Sequence, residues 1–198
     1  MRPSKISTRC FGLFVILFCY AQTVFAMDDD PRFAVYFVDF EGISKFQTSH
    51  GSTRYAKDEI SSLTQGELLG RADIQHPPIL TESDISEYCW DTGRIVLTER
   101  GADNWNKQIG SADSPHIGRP LLIVVDGVPC YCAVLWSLSC SSSPPLPTIL
   151  DFSYSSNEVV IGGEFSLNGS DEIRKACLDT QVKRVFAELG VLRKKCGE

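Results

Sequence analysis

The chain carries no phosphate-binding loop, no dinucleotide fingerprint, no HExxH and no GxSxG. The common sequence signatures of nucleotide, zinc-hydrolase and serine-hydrolase chemistry are therefore missing. Histidine is scarce: His50, His76 and His116 each stand beside glycine or proline in stretches that read as loop. A loop histidine is ordinarily solvated rather than catalytic. Positive charge is also in deficit, with 19 Lys and Arg against 25 Asp and Glu and a net charge of −6. That balance disfavours nucleic acid or an anionic membrane surface as a partner. Past the N-terminal twenty or so residues no second long apolar run occurs, so no membrane span and a soluble mature protein are expected. There is no internal repeat and no linker that would divide the remainder into two domains.

What is present at the start reads as a secretory signal. Arg2, Lys5 and Arg9 precede FGLFVILFCYA, an apolar run too short to cross a bilayer, and Val24-Phe25-Ala26 fits a small-residue cleavage site. Residues 1–26 are expected to be removed, leaving 27–198 as a single domain of 198 − 26 = 172 residues. Loss of three basic and no acidic residues takes the net charge from −6 to −9. Cys19 follows Phe18, where a lipobox requires a small residue, so lipidation is not expected. Six cysteines remain, Cys89, Cys130, Cys132, Cys140, Cys177 and Cys196, and export favours disulfides among them. A Cys130–Cys132 bond is the poorest candidate. Two residues of strand place Cα atoms roughly 6.5 Å apart with parallel Cβ vectors, near the geometric limit. Each is expected to seek a distant partner such as Cys89 or Cys140, or to remain a buried thiol.

The most informative stretch is Pro120 to Trp136, in which two apolar runs flank Asp126-Gly127. An Asp-Gly pair between such runs is a strong hairpin signal, with a type I′ turn that needs positive φ at both residues. Simple alternation pairs Val125 with Val128, Ile123 with Cys130 and Leu121 with Cys132. It places Cys130, Cys132, Val134 and Trp136 on the face of Leu121 and Ile123. Leu122, Val124, Pro129, Tyr131, Ala133 and Leu135 fall on the other.

Around this centre, Arg32 to Phe40 reads as an inner strand, with Phe33, Val35 and Phe37 on one face and Ala34, Tyr36 and Val38 on the other. Glu41 to Arg54 reads as loop. Tyr55 to Leu69 is a helix candidate with Ile60 and Leu63 on one face, and His76-Pro77-Pro78 forces an extended approach to Ile79-Leu80. Asp91-Thr92-Gly93 joins Ser86–Trp90 to Arg94–Leu97 as a hairpin. Thr98 is placed to N-cap a helix from Glu99 to Ile109 with Ala102, Trp105 and Ile109 on one face. Gly110 to Gly118 and Ser137 to Pro147 read as loop, and Asn157 to Ile161 as strand. A C-terminal helix starting at Ser170 or Asp179 ends at Leu189, with Leu178, Val182, Val185, Phe186 and Leu189 as its stripe and Gly190 at C′.

No constellation rises to a catalytic site, and no catalytic, cofactor-binding or metal-ligating residue is assigned. Cys130-x-Cys132 has the thiolates of half a zinc site, but no histidine or second close cysteine pair completes it. As a nucleophile either cysteine would need exposure and a lowered pKa, and its apolar surroundings favour the opposite. Glu82/Asp84 reads as a helix-cap region and Asp39/Glu41 as a strand end. Trp90, Trp105 and Trp136 have the chemistry to line a groove, yet large aromatics on apolar faces usually belong to the core. Asn168-Gly169-Ser170 matches a glycosylation sequon, which matters only in a eukaryotic secretory pathway.

The segments ILTESDI, RIVLTERGADNW, IGRPLLIVVDGVPCYCAVLW and VVIGGEF, in this order and spacing, resemble the head subdomain of the first extracytoplasmic domain of SecD/SecDF. The likeness is closer to small exported stand-alone relatives of that head, in which a Trp-Ser pair follows the hairpin as Trp136-Ser137 does here. It covers Arg32 to Lys195. The resemblance implies an α+β fold, a single domain with a mixed, mostly antiparallel sheet, a central Asp-Gly hairpin and helices packed on one face. In SecD that head engages translocating polypeptide. The chain lacks the family's transmembrane helices, base subdomain and second periplasmic domain, so proton-driven translocation is not implied, and the three cysteines Cys130, Cys132 and Cys140 depart from the family pattern. The expectation is an exported, non-enzymatic binding module of a bacterial envelope, periplasmic or extracellular, without cofactor or metal, whose partner is a polypeptide or an envelope protein. Two other classes stand beside it, a thiol-based redox or transferase enzyme using Cys130-x-Cys132 and a structural envelope component.

Overall fold

An eight-residue run that is apolar on both faces must be buried on both faces, and Phe33–Phe40 forms strand β1 inside the main sheet of a computed structural model of the chain. The structure describes residues 30–47, 53–74, 77–90, 92–109, 118–137, 146, 148–151, 157–161 and 180–194. Met1–Asp30 and Pro31–Glu198 are separate units, and the elements among the described residues belong to the second.

After β1 come β2 (Lys45–Gln47), β3 (Thr53–Tyr55), helices α1 (Lys57–Ser61) and α2 (Gln65–Leu69), and strand β4 (Ala72–Ile74). Strand β5 (Leu80–Thr81), a 3₁₀ turn over Glu82–Asp84, β6 (Ile85–Cys89), β7 (Arg94–Leu97) and helix α3 (Glu99–Ile109) follow. The chain then forms β8 (Pro120–Val125), β9 (Val128–Ser137), β10 (Thr148–Asp151), β11 (Glu158–Ile161), helix α4 (Thr180–Glu188) and β12 (Leu192–Arg193).

One sheet has the order β12-β6-β7-β11-β10-β9-β8-β1-β4, with β5 also pairing with β1, while β2 and β3 form a separate hairpin. The β9–β10 and β6–β12 ladders are parallel and the rest are antiparallel. The fold is thus α+β with a mixed, mostly antiparallel sheet. Phe33, Val35 and Phe37 belong to one apolar cluster, Val38 and Phe40 to another, as alternation along β1 dictates. Helices α3 and α4 cover the first cluster through Ala102, Trp105, Ile109, Val182, Val185 and Phe186. Phe186 is fully buried, its ring 4.7 Å from that of Phe33 and 4.6 Å from that of Tyr88. The two five-residue helices add cover on the opposite face, where Ile60 and Leu68 join the second cluster.

Local chemistry accounts for the ends of these elements. Thr98 Oγ1 accepts the N–H of Gly101 at 3.0 Å and caps α3. Asp84 Oδ2 takes both the N–H and the hydroxyl of Thr81 at 3.0 Å, and Glu82 accepts the N–H groups of Arg32 and Phe33 that open β1. The segments LTESD and LTERG are therefore one capped junction. Gly190 at the end of α4 has φ +73°.

Three differences from the sequence expectation follow from tertiary structure. Glu41 to Arg54, expected as loop, contains most of the β2–β3 hairpin. The single helix expected over Tyr55–Leu69 breaks at Ser62–Thr64, because Thr64 forms a capping box with Glu67 and restarts the helix. Three short strands, β4, β10 and β12, carry too little pattern of their own to be foreseen and form by pairing with longer neighbours.

The fourth difference is the largest. β8 and β9 pair across Asp126 (φ 48°) and Gly127 (φ 74°), with Val125 opposite Val128. The register then shifts: Val124 faces Pro129 and Ile123 faces Tyr131, leaving Cys130 as an extra residue. This β-bulge follows directly on Pro129, which faces Val124 in a non-hydrogen-bonded pair and so costs the ladder no bond. Ile123 does not pair with Cys130, and Leu121 pairs with Ala133 instead of Cys132. From Tyr131 onward every side chain is exchanged between faces. Tyr131, Ala133 and Leu135 join Leu121 and Ile123, while Cys132, Val134 and Trp136 join Leu122 and Val124.

Candidate functional site

The exchange of faces builds a pocket. Val134 and Trp136, turned to the second face by the bulge, meet Pro120 at the start of β8, Ile60 of α1 and Leu146. Strand β3 adds Arg54 and Tyr55, β2 adds Phe46, and Lys57 and Gly118 complete a pocket of about 200 Å³. Its walls are core residues: Ile60, Val134, Trp136, Leu146 and Tyr55 are all buried. Its lip is not, since Phe46 is 51% exposed.

The β2–β3 hairpin that roofs the pocket is tied to β1 by one polar cluster. Tyr55 donates its hydroxyl hydrogen to Asp39 Oδ1 at 2.7 Å and accepts the N–H of Phe40 at 3.0 Å. Lys45 Nζ stands 3.1 Å from Asp39 Oδ2 and 5.2 Å from the centre of the Tyr55 ring. Ala56 N–H donates to Ser44 O at 3.0 Å, and Glu59 accepts the N–H of Ser44 at 2.9 Å. Burial works against the charge on Asp39, but the hydrogen bonds from Tyr55 and Lys45 outweigh it and hold the carboxyl below its ordinary pKa. Burial, then the bond to Asp39, pushes the Tyr55 hydroxyl up. For Lys45 burial opposes the charge, and the bonds to Tyr55 and Asp39 outweigh it and raise the pKa. All three groups move away from neutrality, the opposite of what proton transfer near pH 7 requires. The cluster is a clamp.

Arg54 and Lys57 are the polar members of the pocket. Arg54 Nε is buried and, among the described residues, has no hydrogen-bond partner. No carboxylate among the described residues forms an ion pair with either cation. The nearest carboxylates in sequence on the clamp are committed elsewhere, Asp39 to Tyr55 and Lys45, Glu59 to Ser44. A buried donor without an acceptor is uncommon in folded proteins. The residue that carries it lines an apolar pocket.

Of the residues weighed from the sequence, Asp39 belongs to the clamp and Trp136 to the pocket, and the others lie elsewhere. His50, His76 and His116, and the cysteines Cys140, Cys177 and Cys196, fall outside the described residues, as does the Asn168 sequon. Cys130 and Cys132 are thiols not bridged to each other, nor to Cys89 or Cys140. They do not share a face, because Cys130 packs against the first cluster and Cys132 lies in the second. Burial pushes the Cys132 thiol up to about 12. Among the described residues no group of three or more His, Cys, Asp and Glu is arranged to hold a metal ion. Trp105 is core and Trp90 lies under Lys183, whose Nζ is 4.2 Å from its ring. Trp136 is the exception that reaches a pocket. Phe46, Arg54 and Lys57 had no periodic or motif signal, since they sit in a stretch read as loop and in the first turn after it.

Comparison of the chain with protein-family models, with curated proteins and with solved structures finds no match in any of the three.

Proposed function

We propose that the protein is an exported, non-enzymatic binding module of the cell envelope, periplasmic or extracellular, that holds an apolar segment of a polypeptide or of an envelope protein. The observation that carries this reading is the pocket of about 200 Å³ roofed by the β2–β3 hairpin, with buried apolar walls and an exposed Phe46 at its lip. Such a site binds apolar groups by removing them from water. Export rests on the charged, apolar and small-residue stretches of residues 1–26. It carries the expectation that Cys89, Cys140, Cys177 and Cys196 are bridged in pairs in the mature protein.

The buried Cys132 thiol, with its pKa near 12, supports this reading over thiol chemistry, because the thiolate is the reactive form. The test is binding of an unstructured apolar polypeptide, followed by fluorescence anisotropy of a label on the polypeptide. The native protein should bind it at micromolar concentration, and Phe46→Ser should weaken binding several-fold with an unchanged melting temperature. Absence of binding, or binding indifferent to Phe46, would overturn the reading.

A further inference from the structure

The pocket differs from a general apolar groove in two respects, its size and its cations. A cavity of about 150 Å³ already accepts a benzene ring, whereas drug-sized ligands need roughly 300 Å³ or more. At about 200 Å³ this pocket has the volume of one large side chain. The second respect is the pairing of that volume with Arg54 and Lys57, two cations without ion-pair partners among the described residues of a chain whose net charge is −6. Within a polypeptide the main-chain groups next to a buried side chain are neutral amides except at the two chain ends, and only one end is anionic. At the C-terminal residue the α-carboxylate is attached to the same Cα that bears the side chain.

We infer that the pocket recognises the C-terminal residue of a polypeptide, taking a Leu, Ile or Phe side chain between Trp136, Val134 and Ile60 and its α-carboxylate on Arg54 with Lys57 beside it. The inference rests on the binding-module reading above and specifies its ligand. It supplies an acceptor for the buried Arg54 Nε–H, which has none among the described residues. A guanidinium also suits a carboxylate better than any neutral partner, because its donors match the two oxygens. Binding should weaken with salt, as an ionic contact at a partly open site does.

The test uses five-residue peptides of one composition: Gly-Ser-Gly-Ser-Phe as the free acid, the same peptide amidated, and Gly-Phe-Gly-Ser-Ser as the free acid. Affinity is measured by titration calorimetry on the purified protein. The terminal-Phe acid should bind at least about ten-fold more tightly than either control, since a hydrogen bond to a charged group carries that much discrimination. Arg54→Gln should erase the difference between acid and amide, and Arg54→Lys should keep part of it. A melting curve for each variant separates loss of the contact from loss of the fold. Equal affinity for acid and amide would overturn the inference while leaving a side-chain-binding pocket. So would binding of an unstructured apolar polypeptide with none of the three peptides bound. Failure of every peptide and of the polypeptide would remove the binding-module reading as well.

Discussion

Arg32 Nε and Asp126 Oδ1 stand 2.9 Å apart, joining the residue before β1 to the turn between β8 and β9. The contact is one side of a closed ring. Arg32 also reaches Glu188 at 2.6 Å, and Arg184 meets Asp126 at 2.7 Å and Glu188 at 3.3 Å. Two guanidinium groups and two carboxylates thus bind helix α4 to the end of the sheet. An isolated surface pair contributes little, but a network in which each partner is already held loses less side-chain entropy per contact.

The ring makes a pH-dependent contribution whose sign is fixed. Hydrogen bonds from Arg32, then Arg184, hold Asp126 below its ordinary pKa of 3.8, and Arg32 does the same for Glu188. Their stabilisation is present above the ordinary carboxylate range and is lost as pH falls through the lowered native values. Asp126→Asn keeps a side chain that tolerates positive φ and removes the charge. Its melting temperature should fall below that of the native protein at pH 7, and the gap should close from about pH 4 downward. A gap independent of pH would mean that the ring contributes nothing through its charge.

Gly101 is required by close approach. A Cβ built there would sit inside the van der Waals radius of Asp84 O and 2.8 Å from Asp84 Cβ, where the 3₁₀ turn crosses α3. Gly101→Ala should cost about 2–4 kcal/mol, because backbone must move to admit the methyl group. Gly66, with nothing within 4 Å, is the control. Gly66→Ala should be neutral or stabilising by up to about 1 kcal/mol. Urea unfolding of the two variants checks both signs, and a tolerated Gly101→Ala would mean that the α3 junction is packed differently.

The elements with strong periodicity were legible in advance. β1, the β6–β7 hairpin, α3 with its Thr98 cap and the apolar stripe of α4 all follow from local patterns that tertiary structure does not oppose. The pocket was not legible. Its far wall depends on one extra residue at Cys130, which reverses the face of Val134 and Trp136, and no alternation rule registers an insertion of that kind. Its roof lies in a polar segment whose strands are three residues long and are held by Tyr55, Asp39 and Lys45. Side-chain bonds between residues distant in sequence leave no local signature.

Gln65 illustrates the same point and gives a third prediction. β10 pairs with β9 only from Val134 onward, so at Cys132, which pairs with Leu122 of β8, the other edge of β9 has no strand beside it. The Gln65 side chain takes that place, accepting the Cys132 N–H at 2.9 Å and donating to Cys132 O at 3.2 Å. One amide acts as a missing strand residue. Gln65→Ala should destabilise by about 1–3 kcal/mol, since it strands two polar groups in a half-buried position. Hydrogen exchange at the Cys132 amide should accelerate in the variant; protection equal to that of the native protein would show that another group bonds this amide.

The last prediction concerns the thiols. Cys132 is fully buried, and burial alone pushes its pKa to about 12, so at pH 7 its thiolate is scarce and hidden. Cys130 is half-buried at the bulge, its Sγ 3.6 Å from Val128 O, and belongs to the opposite face of the sheet. A dithiol that cycles in redox chemistry needs both sulfurs within bonding reach and at least one exposed as thiolate. A bulged strand with the two cysteines on opposite faces does not meet the first requirement. Brief iodoacetamide treatment of the native protein near pH 7 should therefore leave Cys132 unlabelled. Denaturation without reductant should then open both Cys130 and Cys132 to alkylation, while Cys89, Cys140, Cys177 and Cys196 remain blocked until reductant is added. Peptide mapping by mass distinguishes the six sites. Rapid native labelling of Cys132, or a Cys130–Cys132 bond that forms and opens with mild reductant, would sink the binding-module reading and put a thiol enzyme in its place.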